Sequence, residues 1–75
     1  KHGVTFEEAS TAIADPLATT GADPEHSKGA FRWVTFGRSS RGRLLAVMHT
    51  EESDTIRIIS ARVATRRERT LYEGD

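Results

Sequence analysis

The apolar positions near the start of the chain have the spacing of a short helix. The segment Thr5-Phe6-Glu7-Glu8 has the form of a capping box, in which a threonine side chain accepts from the third helical residue and a glutamate reaches back. We predict a helix that begins at Phe6 and places Phe6, Ala9 and Ile13 on one face. It should end at Asp15-Pro16, because the residue before a proline avoids the helical region.

Branched and aromatic residues then predict a β-meander. Three strands are expected over residues 30–36, 43–50 and 55–63, and the connections 37–42 and 51–54 are short enough for antiparallel hairpins. Residues 17–20 form a candidate short strand, and a second capping box at Thr65 to Glu68 begins a last helix that ends near Glu73. The predicted fold class is α+β, with a short N-terminal helix, an antiparallel meander of three to four strands and a C-terminal helix.

The pairing of the second hairpin decides which side chains share a face. If Thr50 lies opposite Thr55, His49 faces Ile56, and both faces of the sheet are substantially apolar. We therefore expect one face to pack on helices and the other to be partly covered or bound by a partner. This pairing places Arg57 and Arg62 on opposite faces unless a bulge lies between them.

Length and charge limit the function classes. The 75 residues form one domain at most, and without cysteine there is no disulfide, thiolate metal site or cysteine nucleophile. The net charge is zero, but residues 1–29 carry −3 and residues 30–70 carry +5, with all nine arginines in the second segment. The arginine fork fits phosphate oxygens, which favours a phosphate ligand. Ion pairs on a solvated sheet edge would explain the same residues.

The sequence contains no residue pattern typical of a metal site, a serine triad or a membrane span. His2, His26 and His49 have no metal-ligand spacing, so we expect neither a zinc site nor any other cofactor. Ser39-Ser40 lies in a predicted turn, where serines usually bond locally rather than act in a triad. No apolar run approaches the roughly 20 residues of a membrane span, and the start does not resemble a signal peptide. We expect a soluble, cytoplasmic protein that does not bind membranes.

The order and spacing of several blocks resemble the BrnT family of bacterial toxins. The blocks are Lys1-His2-Gly3-Val4, Phe6-Glu7-Glu8-Ala9, Asp15-Pro16, Gly42-Arg43-Leu44-Leu45, His49-Thr50-Glu51, Arg57-Ile58-Ile59-Ser60-Ala61-Arg62, Thr65 to Glu68, and Tyr72. The resemblance spans essentially the whole chain, and the Arg-Ile-Ile-Ser-Ala-Arg block is its most specific part.

The resemblance implies a RelE-like fold, a ribonuclease activity that arrests translation, and a ribbon-helix-helix antitoxin, BrnA, that neutralises the toxin. DNA would be bound only through the complex with that antitoxin. Residues 1–75 would form a single toxin domain. Family members usually carry a strand and a basic helix before the Lys-His-Gly-Val block, and we expect this sequence to lack both.

The chemistry of metal-free RNA cleavage selects the candidate residues. The ribose 2′-hydroxyl is the nucleophile, so the site needs proton-transfer groups and cations at the phosphate. We expect Arg57 and Arg62 to hold the phosphate with help from Arg43, and His2, then His49, to transfer protons. The candidate RNA-binding residues are Lys1, Arg41, Arg43, Arg66 and Tyr72.

Purely structural roles compete with the functional roles proposed for several of these residues. His49 at a strand end is more often structural, Tyr72 more often packs than stacks on a base, and capping is the favoured role for Glu68. A non-catalytic protein-interaction or nucleic-acid-binding module remains an alternative, because phosphate binding and phosphate cleavage both use arginine.

Overall fold

The predicted α+β architecture is confirmed. The computed structural model describes residues 3–22 and 31–73. Its elements are α1 (Phe6–Ile13), β1 (Thr19–Ala22), β2 (Trp33–Arg38), β3 (Leu44–Glu52), β4 (Thr55–Val63) and α2 (Arg66–Glu73). The four strands form one antiparallel sheet in the order β1-β2-β3-β4, so neighbours in sequence are neighbours in space.

Helix α1 begins where the capping box predicts, and two of the three residues predicted to share its apolar face pack against the core. The Thr5 hydroxyl accepts from the Glu8 amide at 3.0 Å. The buried residues are Glu8, Ala9 and Ala12, and Ile13 packs beside them, whereas Phe6, the third residue of the predicted apolar face, is 58% exposed. The reason is that α1 lies very close to the sheet, so that only small side chains such as those of Ala9 and Ala12 fit between the helix and the strands.

Gly37 shows how close that approach is. A Cβ atom on Gly37 would lie 2.1 Å from the carbonyl oxygen of Ala12 in α1. The predicted turn 37–42 was therefore placed too early. Gly37 is a buried position inside β2, and the turn before β3 contains Gly42, whose φ of +79° favours glycine.

The core lies between α1 and one face of the sheet. Strand alternation places Leu45, Val47 and His49 of β3 on this face. The hydrophobic cluster consists of Val4, Ala9, Ala12, Leu45, Val47 and Ala61, with Ile13 and Ile58 packed against it. We call this the α1 face.

The predicted pairing of the second hairpin was wrong. Thr55 pairs with Glu52 rather than Thr50, so β3 extends two residues further than expected. The turn is reduced to two residues, and Ser53 adopts a φ of +55°. Two-residue hairpin turns require such left-handed positions, and a serine there gave no strong signal in the sequence.

Helix α2 lies over the opposite face, which we call the α2 face. None of its residues is buried. Three polar contacts connect it to the rest of the fold: Arg62 with Glu68, Asp15 with Tyr72, and Arg38 with Glu73. Leu71 stays 78% exposed beside a cavity of about 230 Å³. Polar contacts therefore hold α2 in place more than apolar burial does.

Candidate active site

A bulge in β4 alters the regular alternation of its side chains. The β3–β4 register shifts between Met48 and His49, which pair with Ser60 and Ile58 respectively. Ile59 is thus an extra residue in β4. Because side chains alternate between the two faces of a sheet, one extra residue moves every following side chain of that strand to the face opposite the one it would occupy in a regular strand.

The bulge brings Arg57 and Arg62 to the same face. Arg57 pairs with Thr50 and Arg62 pairs with Ala46, and these two positions of β3 both point to the α2 face. The regular pairing that separated the two arginines was therefore wrong. The structure contains the intervening bulge that was the predicted exception to this separation.

Arg57 is on the α2 face and lines a cavity at the end of the sheet near the β3–β4 turn. The cavity has a volume of about 520 Å³ and is lined by Phe31, Arg32, Thr50, Glu51, Glu52, Arg57 and Ile59. Arg57 is exposed, and across residues 3–22 and 31–73 it forms no ion pair. Its guanidinium is accordingly available to bind a phosphate from solvent.

Arg62 is engaged by a carboxylate. Its Nη1 and Nη2 atoms donate to Oε1 and Oε2 of Glu68 at 2.8 and 2.9 Å. Glu68 also accepts from the Thr65 amide at 2.9 Å, and the Thr65 hydroxyl accepts from the Glu68 amide, which completes the predicted capping box. The Arg62 hydrogen bonds lower the pKa of Glu68 to about 2. A phosphate at Arg62 would have to compete with this fork-to-fork pair.

Arg43 lies on the α1 face, across the sheet from Arg57. Its Nε donates to Glu8 Oε2 at 3.0 Å, and its Nη2 donates to the Gly3 carbonyl at 2.8 Å. Ser39 Oγ donates to the same Glu8 carboxylate at 2.6 Å. Hydrogen bonds from Arg43, then Ser39, lower the pKa of Glu8 to about 2. This cluster joins α1 to β3.

His49 is also on the α1 face and is buried, with 1% of its surface exposed. Its Nε2 lies 2.7 Å from Thr35 Oγ1, which in turn lies 2.7 Å from Thr20 Oγ1. Its Nδ1 lies 3.8 Å from a carboxylate oxygen of Glu51. Burial lowers the pKa of His49, so the neutral form is favoured. The sheet separates this imidazole from Arg57.

The remaining candidates do not meet at one point. The Tyr72 hydroxyl donates to Asp15 at 2.7 Å, and this hydrogen bond raises the pKa of Tyr72. Arg41 is exposed in the turn before β3, and Arg66 is exposed at the start of α2. Lys1, His2 and His26 lie outside the described residues.

Two general features bear on the chemistry of the described part of the chain. It contains no group of three or more His, Asp or Glu side chains placed to hold a metal ion. Neither α1 nor α2 has the length and apolar character needed to cross a membrane.

Family membership follows from a match over most of the chain. The family model of the ribonuclease toxin BrnT of type II toxin-antitoxin systems matches residues 1–68. The chain belongs to the BrnT toxin family. Comparison with curated protein sequences gives no match. A BrnT toxin is a ribonuclease of a toxin-antitoxin pair, so its function implies an RNA target and an antitoxin partner.

The cavity contains residues of this BrnT chain that the sequence analysis did not select. Phe31 and Ile59 are exposed apolar residues there, and Arg32 precedes β2 at a position that continues the pairing toward Thr50. One signal was available in the sequence, since Phe31-Arg32-Trp33 interleaves aromatic and basic residues as nucleic-acid-binding surfaces do.

The Arg62–Glu68 pair should give this BrnT chain an acid-sensitive stability. The Glu68 pKa is about 2 in the fold against 4.5 for the isolated side chain. The pair therefore stabilises the fold fully above pH 4.5, and that stability is lost as pH falls toward 2. Glu68→Gln should remove roughly 1–2 kcal/mol at pH 7, after allowance for partial solvent screening, and flatten the acid limb of the stability curve.

Urea unfolding measured from pH 7 down to pH 2.5 tests this expectation. Glu7→Gln is the matched control, because Glu7 is an exposed carboxylate in the first turn of α1. An acid limb in Glu68→Gln as steep as in the Glu7→Gln control would show that the pair contributes nothing to stability.

Proposed function

We propose that this chain is a metal-independent endoribonuclease toxin that cleaves RNA by attack of the ribose 2′-hydroxyl on the adjacent phosphate. The observation that carries the proposal is the position of Arg57, an exposed guanidinium on the α2 face that lines a cavity at the end of the sheet. A permanent cation there stabilises the charge that develops on the phosphate oxygens in the transition state.

The other roles are assigned according to position. Arg62 supports the same face, with its orientation fixed by Glu68. Proton transfer is assigned to His2 on the chemistry of histidine alone. His49 and Arg43, on the α1 face, are assigned to holding the fold around the site. Lys1, Arg41 and Arg66 are proposed to contact the RNA backbone, and Tyr72 to fix α2 against Asp15.

Metal independence rests on the donor set. Arg57 lines the cavity and forms no ion pair within residues 3–22 and 31–73, so its guanidinium can provide the positive charge that a metal would bring to the phosphate. We therefore propose that no metal or organic cofactor takes part.

A cleavage assay in excess chelator tests the proposal. Purified protein incubated with single-stranded RNA and EDTA should produce fragments that end in 2′,3′-cyclic phosphate. Loss of cleavage in EDTA, with recovery on adding a divalent ion, would contradict the metal-independent mechanism. RNA binding without any cleavage would favour the alternative of a non-catalytic binding module.

We further propose that the antitoxin is of the ribbon-helix-helix class, that it carries the DNA contact of the complex, and that the pair acts in the cytoplasm. An antitoxin that binds only the folded toxin should raise the toxin's free energy of unfolding by about 2.7 kcal/mol when the free antitoxin concentration is 100 times the dissociation constant. Added to the same assay, it should abolish cleavage. A stabilised complex that still cleaves RNA at the free rate would contradict neutralisation at this site.

A further inference from the structure

The cavity beside Arg57 contains an exposed aromatic ring that packs against a neighbouring ring. Phe31 is 58% exposed and lines the cavity. Its ring meets Trp33 edge to face, with centroids 4.8 Å apart and ring planes at 80°. This contact orients the Phe31 ring while leaving much of it exposed. Ile59 from the bulge is 36% exposed and extends the apolar wall of the same cavity. A surface of this kind suits the flat face of a nucleobase.

The charged groups around the ring are of both signs. Arg57 and Arg32 supply guanidinium groups, whereas Glu51 and Glu52 supply carboxylates. A phosphate is attracted to the first pair and repelled by the second, so an RNA backbone would follow the arginines. The carboxylates would then accept hydrogen bonds from the base. Only a base with an N–H group directed at the carboxylates can form these bonds. Adenine, cytosine and guanine each carry an exocyclic amino group.

Size and charge favour a nucleotide over a protein segment. The volume of about 520 Å³ lies within the roughly 300–1,000 Å³ range of small-ligand sites. An apolar peptide side chain that docked here would remove water from the carboxylates of Glu51 and Glu52 and from the Arg57 guanidinium. It would offer these charges no partner in exchange, which is energetically costly. One nucleotide offers a phosphate to the arginines and an amino group to the carboxylates.

We propose that this cavity binds one base of single-stranded RNA, stacked on Phe31, and that it favours a base with an exocyclic amino group over uracil. The inference rests on the proposed ribonuclease function, for which it defines the substrate preference. Phe31 thereby becomes a binding residue next to the phosphate site at Arg57.

Binding of uncleavable RNA tests the inference without relying on catalysis. Short oligonucleotides of adenine or of uracil, with 2′-O-methyl riboses, lack the attacking hydroxyl. Trp33 is the single tryptophan of the chain and touches Phe31, so its emission reports on the cavity. We expect the adenine oligonucleotide to change Trp33 emission and to bind about 10-fold more tightly than the uracil oligonucleotide, as measured by anisotropy.

Two leucine variants isolate the stacking ring. Phe31→Leu should weaken binding of the adenine oligonucleotide by about 5- to 150-fold, and Phe31→Tyr should retain it, because tyrosine keeps the ring. Phe6→Leu is the matched control, since Phe6 is also 58% exposed but lies on α1. Circular dichroism melts of each variant confirm that the fold is intact.

Several results would overturn the inference. These are equal affinities of Phe31→Leu and Phe6→Leu, binding that leaves Trp33 emission unchanged, equal affinity for adenine and uracil, or no binding of either oligonucleotide. If Phe31-dependent binding occurs but unmodified RNA stays uncleaved, the proposed catalysis fails and the base site stands. If Phe31→Leu cleaves RNA at the wild-type rate with the same base preference, the base site fails and the catalysis stands.

Discussion

Replacing Arg57 with alanine is expected to lower RNA cleavage by about 10- to 1,000-fold, because loss of one preorganised donor at a transition state can cost up to about 1,000-fold. The fold should tolerate the change, because Arg57 is exposed and forms no ion pair within the described ranges. Arg57→Lys should restore little activity, since lysine keeps the charge but loses the planar pair of donors. Initial rates on a labelled RNA, with melting temperatures alongside, measure both quantities.

Two further arginine variants make the result specific. Arg67→Ala removes the same charge from an exposed position on α2 and should leave cleavage unchanged. Arg62→Ala should lower both cleavage and stability, because it leaves Glu68 without its partner. Arg57 is excluded from the site if folded Arg57→Ala cleaves RNA as fast as Arg67→Ala.

Replacing Gly37 with alanine is expected to destabilise the fold by about 1–3 kcal/mol, the usual cost of forcing an extra methyl group into a packed interior. The added Cβ would lie 2.1 Å from the Ala12 carbonyl oxygen, and backbone cannot move aside as a flexible side chain can. Helix α1 would have to shift away from β2. The conformation of Gly37 itself is ordinary, because its φ is not positive, so the effect arises from contact rather than from backbone strain.

Gly21→Ala provides the comparison. Gly21 lies in the exposed edge strand β1, and a Cβ there meets nothing within 4 Å. Its effect should stay within about 0.5 kcal/mol. If the two variants have the same dependence of unfolding free energy on urea, the difference between their urea midpoints gives the difference in their stability. Equal midpoints for the two variants would show that α1 is not seated on β2 as closely as the structure places it.

Local signals in the sequence predicted the elements well. The Thr5 cap and the Thr65 capping box mark the starts of both helices, because a cap depends only on residues within one turn of each other. The Glu8 side chain, predicted to reach back to Thr5, instead accepts from Ser39 and Arg43. The strand beginning at Thr55 was predicted with its observed bounds. Fold class and strand order followed from these local patterns, since short connections allow only neighbouring antiparallel strands.

The close contact of α1 with β2 was not predictable from those signals. Phe6 satisfies the helical periodicity, yet Ala9 and Ala12 face the sheet because Gly37 admits the helix backbone at short range. That contact joins residues about 25 positions apart. Periodicity describes a single element, and it cannot tell how near the next element will come.

The site shows the same division between local pattern and tertiary arrangement. The position of all nine arginines in the second half of the chain, the α+β element pattern and the family-typical blocks are visible in the sequence alone. Folding determined which of Arg43, Arg57 and Arg62 forms an ion pair and which does not. The extra residue Ile59 brought Arg57 and Arg62 to one face, and Glu68 and Glu8 then engaged Arg62 and Arg43. The physical reason is that strand register and ion pairing depend on partners brought close by folding, whereas caps and periodicity depend on near neighbours along the chain.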